Sequence, residues 1–274
     1  MEEKATAVLA GSVTFGGNLI VNRIGLGTNR ITNTPEARAV LKRAIELGIN
    51  FIDTADYYTS TESESTIGNT LAPYPTGVVI ATKGGMTRDD RKVDGRPEYL
   101  RKTLEGSLKR LKLSQIPLYQ LHRVDPTVPL VESVGALKQM QDEGKILHIG
   151  LSAVTVMQIE EARKVATIAS VQDEYNLGER KHEQELSYCE AAGIVFIPWF
   201  PLGRGKISQS NSTIVSLAAK YGATPNQILL GWLLKRSPAM LPIPGTLSTQ
   251  HLEENASAGK IKLSEEDFVA LGQS

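Results

Sequence analysis

The chain has almost no cysteine, and its single thiol excludes an intramolecular disulfide and fits a reducing compartment. Cys189 stands in Tyr188-Cys189-Glu190-Ala191-Ala192-Gly193, which reads as a helix end, so a core thiol is expected there rather than a nucleophile. There is no excess charge of either sign: Lys plus Arg and Asp plus Glu number 30 each, which leaves no electrostatic footprint for nucleic acid or an anionic membrane. No apolar run approaches the ~20 residues of a membrane span. The start, Met1-Glu2-Glu3-Lys4-Ala5-Thr6, lacks a basic segment leading into an apolar one, so no signal peptide is expected. These absences leave a soluble, cytoplasmic globular protein. Its 274 residues can bury one large core.

What the chain does have is rhythm. Residues 8–21 alternate short apolar pieces around Phe15-Gly16-Gly17-Asn18 and read as a β-hairpin. Strand and helix patterns then alternate. Strands are expected over 23–28, 50–55, 78–84, 116–122, 146–152, 168–176, 194–201 and 239–244. Helices are expected over 35–47, 62–71, 97–111, 130–143, 156–165, 182–192, 213–221, 225–236 and 249–258, with Gly48, Gly144 and Gly193 as caps. A last helix, 264–271, opens on a capping pattern, Ser264 to Asp267. Crossovers of helix length demand a parallel sheet, and eight of them without a break in composition predict one (β/α)8 TIM barrel with an N-terminal hairpin, spanning 1–274 as a single domain. Residues 84–96 form the longest loop in this scheme. A dinucleotide-binding Rossmann reading fails, because Gly25-Leu26-Gly27 lacks the third glycine, Arg30 standing in its place, and the following helix starts late.

Three of the apolar strands run into ionisable residues. The second reaches Asp53 with Tyr58 five residues on, the third Lys83 and the fourth His122. Neighbouring strands of such a barrel place their carboxyl ends, and its chemistry, together. One such residue alone is more simply a buried ion pair or a satisfied polar group; four at one end point to a site. Asp53 would hold Lys83 charged, the ammonium would lower the pKa of the Tyr58 phenol and make it a usable acid, and His122 would orient a carbonyl oxygen. That pattern suits carbonyl reduction, with the hydride coming from a cofactor.

The motif Asp53-Thr54-Ala55-Asp56-Tyr57-Tyr58, with Lys83 in Ala81-Thr82-Lys83-Gly84-Gly85 and His122 in Leu121-His122-Arg123, resembles the aldo-keto reductases. The likeness runs nearly end to end and departs at Thr59, where the family has glycine. It implies NADPH-dependent reduction of an aldehyde or ketone, with Asp53, Tyr58, Lys83 and His122 as the catalytic tetrad. It also implies cofactor positions. Gly27, Thr28 and Asn29 would lie at the nicotinamide ribose, Ser152 and Gln172 at the carboxamide, and Trp199 on the nicotinamide ring. Leu202, Gly203 and Gly205 would cover the pyrophosphate with Lys206 as a charge partner. Pro244, Gly245, Thr246, His251, Glu254 and Asn255 would meet the adenosine end.

Two departures bear on the cofactor: Ala153 replaces the family's asparagine after Ser152, and the last strand–helix loop offers mainly His251 as a basic partner for a 2′-phosphate. Trp199 reads equally as a core aromatic, and His251 as a surface residue. His148 and His182 read as strand and helix-surface residues, and no histidine spacing suggests a metal. The competing functions are a Schiff-base aldolase using Lys83 and an NADPH-binding regulatory subunit. A small carbonyl compound, sugar-derived or pyridoxal-like, is the expected partner; the sequence does not set the oligomeric state.

Overall fold

The structure is a computed structural model that describes residues 6–87, 92–205 and 211–273. Strands β1 (Ser12–Phe15) and β2 (Leu19–Asn22) form the expected antiparallel hairpin. Gly16 and Gly17 make its turn at φ 54° and 83°, a backbone in which a side chain would be strained. The residues before it differ from expectation: Thr6–Ala10 is a short 3-10 helix rather than the first limb of the hairpin.

Seven strands follow in one parallel sheet, in sequence order: β3 (Leu26–Gly27), β4 (Phe51–Asp53), β5 (Val79–Gly84), β6 (Ile116–Leu121), β7 (Ile146–Ser152), β8 (Ile168–Glu174) and β9 (Val195–Trp199). The eighth expected strand, residues 239–244, forms no ladder. It is joined by an isolated parallel bridge between Met240 and Phe196, and the Gly25 amide donates to the Pro242 carbonyl (3.0 Å). The reason lies in the sequence. Pro242 and Pro244 have no N–H to give, so the segment closes the gap between β9 and the start of β3 by single contacts.

The helices begin where their caps place them. Thr34, Thr155, Thr224 and Ser264 each accept a backbone amide from the first turn, and Thr155 and Thr224 complete capping boxes with Gln158 and Gln227. Two apolar clusters result. The larger joins the outer faces of the strands to the helices and encloses Cys189, whose thiol burial pushes upward in pKa, as a core thiol should behave. The smaller fills the barrel from Phe51, Val79, Leu118, Val195 and Leu241 and is completed by Val13, Phe15 and Val21 of the hairpin. Phe15 stacks on Phe51 at 5.4 Å, so the hairpin seals the amino-terminal end of the barrel.

Candidate active site

The other end stays open. A cavity of about 740 Å³ is lined there by residues from the carboxyl ends of the strands and the loops that follow them. At its base, β4 ends on Asp53, which is 1% exposed, and β5 carries Lys83, also 1% exposed. Lys83 Nζ donates to Asp53 Oδ2 (2.7 Å), to the Thr54 carbonyl (2.8 Å) and to the Tyr58 hydroxyl (3.3 Å). Asp53 Oδ1 accepts from Gln172 (2.9 Å) and Gln120 (3.3 Å). The carboxylate is thus fully engaged, the condition under which a buried ion pair is tolerated.

Electrostatics follow from this packing. Burial pulls the Lys83 ammonium down in pKa, but Asp53 and Tyr58 pull it up further, so the group stays charged. That rules against the aldolase, whose lysine must be neutral and must reach a substrate carbonyl. The phenol of Tyr58 corrects the sequence expectation. Lys83 does lower it, but burial raises it by more, and the net shift is upward from 10. Part of the ring remains open to the cavity, so solvent there softens the burial contribution. A phenol in this state is fully protonated at neutral pH and can donate.

His122 lies just beyond β6 and packs edge-on against Tyr58 and Tyr57, at centroid distances of 5.8 and 5.7 Å. Burial first, then the charges of Lys83 and Arg123, hold it well below 6.5, so the imidazole is neutral. Its Nδ1 is buried with no hydrogen-bond partner among the described residues. A neutral imidazole carries one N–H and one acceptor nitrogen, and an N–H left buried without a partner is costly, which favours the proton on Nε2.

The loop after β4 is held under strain. Thr59, Ser60 and Thr61 all have positive φ (47°, 53° and 76°), and Thr59 is the position where glycine was expected. A β-branched residue there costs about 1–2 kcal/mol. The Thr59 hydroxyl offsets it by donating to the Ile31 carbonyl (3.0 Å) or the Tyr58 carbonyl (2.8 Å) and accepting from the Ser63 amide (3.0 Å). Behind this loop Asp56 turns away from the cavity to pair with Arg110, which also binds Glu64 (2.7 Å). The turn that carries Tyr58 is therefore pinned on both sides.

Of the other residues singled out in the sequence, Gly27, Thr28, Asn29, Ser152, Gln172, Trp199, Leu202, Gly205, Pro244, Gly245, Thr246, His251 and Asn255 line the cavity. Gly203 and Glu254 do not, and Lys206 lies outside the described residues. A Cβ on Gly27 would meet the Ile243 carbonyl oxygen at 2.6 Å, and one on Gly245 the Gly27 carbonyl oxygen at 2.8 Å, so two backbones approach here as only glycine permits. Ala153 adopts φ 55°, a conformation asparagine tolerates better than alanine. The sequence reading missed Arg30, Arg123, Phe200, Arg204 and Asn226, all of which line the cavity. Arg123 and Phe200 had a signal, since each follows a singled-out residue at a strand end. Arg30, next to Asn29, had the same signal, whereas Asn226 had none, because only the folded chain brings it to the mouth.

The comparisons agree with this geometry. Residues 23–273 match the model of the aldo/keto reductase family. An uncharacterized oxidoreductase of Schizosaccharomyces pombe is 44% identical over 96% of this chain and 90% of its own length. The pyridoxine 4-dehydrogenase of Escherichia coli is 38% identical over 93% of this chain and 95% of its own length. The crystal structure of an aldo-keto reductase from Klebsiella pneumoniae in complex with NADPH superposes with a TM-score of 0.84 at 28% identity, covering 96% of this chain and 94% of that one. The family model spans the whole barrel, from residue 23 to residue 273, and the chain belongs to the aldo/keto reductase family.

Proposed function

We propose that this oxidoreductase reduces a small aldehyde or ketone to an alcohol with NADPH, using Tyr58 as the proton donor. The observation that carries the reading is the chain of contacts from Asp53 through Lys83 to the Tyr58 hydroxyl, 2.7 and 3.3 Å, with neutral His122 beside it at the cavity base. The cavity suits a dinucleotide. The glycine pair Gly27 and Gly245 lets backbone come close at one point, and Asn226 offers elsewhere on the wall a buried Oδ1 with no partner among the described residues. Ser152 and Gln172 would hold the carboxamide, Trp199 the nicotinamide face, Leu202 and Gly205 the pyrophosphate, and Thr246, His251 and Asn255 the adenosine end. When bound, NADPH supplies the hydride and leaves as NADP⁺.

The chain's own groups do the rest. His122 and the Tyr58 hydroxyl fix the substrate oxygen. As negative charge develops on that oxygen, the phenol gives up its proton, and the Lys83 ammonium stabilises the phenolate left behind. Asp53, held by Gln172 and Gln120, keeps the ammonium in place. Since Gln172 Nε2 is committed to Asp53 (2.9 Å), the same residue would tie the cofactor end of the site to the acid. The likeness to a pyridoxine 4-dehydrogenase makes pyridoxal a first substrate to try. The test is NADPH consumption with a panel of aldehydes and ketones. NADPH binding without turnover of any of them would favour a regulatory subunit instead.

A further inference from the structure

Arg123 is the residue after His122, and its guanidinium lies over the Trp199 ring at 5.5 Å, on the cavity wall beside the Tyr58 and His122 rings. It is half-buried, yet among the described residues it makes no ion pair and no hydrogen bond. Most of the other described arginines are placed differently. Arg43, Arg96, Arg101, Arg110 and Arg236 each end on a carboxylate. Arg23, Arg163 and Arg180 each donate to a carbonyl or hydroxyl oxygen. Among the described residues the one comparable case is Arg204, which packs on Phe200 at 4.1 Å but is exposed, in the loop assigned above to the pyrophosphate.

A partly desolvated guanidinium with no acceptor is an unmet demand. Asp173, a carboxyl that feels its charge, is fully buried and, among the described residues, forms no ion pair with it. The guanidinium lies over the indole at 5.5 Å, a cation–π contact that uses none of its N–H donors, so they remain for a carboxylate or phosphate, which a guanidinium can bind in bidentate fashion. We propose that Arg123 is an anion subsite for the substrate, and that the preferred carbonyl compounds carry a carboxylate or phosphate in addition to the reacting carbonyl. This rests on the reductase reading above and specifies its substrate class. The anion would anchor beside His122 while the carbonyl oxygen meets Tyr58, which orients the substrate by its two ends.

The experiment uses matched pairs. For the carboxylate arm, succinic semialdehyde is compared with butyraldehyde; for the phosphate arm, pyridoxal 5′-phosphate with pyridoxal. In the wild type kcat/KM should favour the anionic member, and Arg123→Gln should reduce that ratio by roughly 10- to 100-fold, the worth of one charge-assisted contact, with the loss mainly in KM. Arg123→Lys should keep part of it. Raising the salt concentration should compress the wild-type ratio, a readout that needs no folded variant. The arm showing the larger ratio identifies the anion. An unchanged ratio in Arg123→Gln overturns the proposal. So does an equal loss of NADPH affinity by fluorescence titration, which would make Arg123 a cofactor residue. If no carbonyl compound is reduced, the reductase reading fails separately, and binding of butyrate against butyramide to the NADP⁺-loaded protein still decides. Arg123-dependent preference for butyrate supports the anion subsite, and its absence removes it.

Discussion

The two ends of this barrel are built from the same strands to opposite specifications. At the amino-terminal end, Phe51 and Val79 open β4 and β5 and meet the hairpin plug of Val13, Phe15 and Val21. A few residues on, the same strands end in Asp53 and Lys83, under a cavity of about 740 Å³. The floor is sealed by apolar burial, which tolerates any partner of the right volume; the mouth is held by hydrogen bonds and charge, which tolerate only particular atoms at particular distances. Changes at the floor should therefore be felt in stability, and changes at the mouth in turnover.

The largest expected effect is at the mouth. Tyr58→Phe removes the proton donor and keeps the ring, so turnover should fall by about 10²–10⁴-fold, the usual worth of a general acid, while NADPH affinity and the unfolding midpoint hardly move. Undiminished single-turnover hydride transfer in that variant would remove Tyr58 as the acid. Because the folded phenol titrates above 10, reduction should persist into alkaline pH and decline only as pH passes that raised value. Lys83→Met removes the group that pulls the phenol down and should push that decline higher still.

The converse test is Phe15→Ala. Phe15 is fully buried against Phe51, and truncation of such an aromatic costs about 3–5 kcal/mol. The urea midpoint should drop accordingly, while kcat for an aldehyde stays within a factor of about two, since Phe15 itself does not line the cavity. A matching fall in kcat would mean that the two ends are mechanically coupled and the division above is false.

Asp173 sharpens the comparison because it belongs to neither end. It follows Gln172 on β8 and faces away from the cavity, fully buried, with neither carboxyl oxygen hydrogen-bonded among the described residues. Burial, with Glu185 nearby, pushes it up to about 8, and the positive charge of Arg123 offsets only a small part of this. The unfolded carboxyl titrates near 3.9, so the folded state holds a proton that the unfolded state releases between those values. This contribution to stability is fully present below about pH 4 and is lost as pH rises to about 8. Asp173→Asn carries no such proton. It should gain on the wild type between pH 5 and pH 9 by on the order of a few kcal/mol, read from urea midpoints. An identical pH dependence in both proteins would mean that Asp173 ionises freely in the fold.

The grouping of Asp53, Tyr58, Lys83 and His122 was legible because they sit at or just past strand ends, where an apolar run stopping at an ionisable residue is visible in one dimension. The helices were legible for a similar reason: their caps are local. The eighth strand was misread because alternation alone promised a ladder that Pro242 and Pro244 cannot donate to. The direction of the Tyr58 shift was hidden too, since charge proximity can be guessed from spacing but burial is a property of the whole fold. Arg30 illustrates the same limit. It was passed over as the residue that spoils a glycine pattern, and its role depends on a loop more than 200 residues away.

The smallest effect concerns that loop. His251 is exposed on the cavity rim, and sequence alone left it as the main basic partner for a 2′-phosphate. The fold adds Arg30, whose Nη2 donates to the Gly245 carbonyl (3.2 Å), tethering a permanent cation beside the Pro244–Thr246 segment. Two exposed cations on one phosphate divide the work, and each contact is weakened by solvent. Arg30→Ala and His251→Ala should each reduce the preference for NADPH over NADH by only about two- to fivefold, and the double variant by roughly the product if the two act independently. Preference in His251→Ala rests on a permanently charged guanidinium and should stay flat from neutral to pH 9. Dissociation constants for both cofactors in the two single variants make the test, and a preference untouched in both would place the phosphate against some other group.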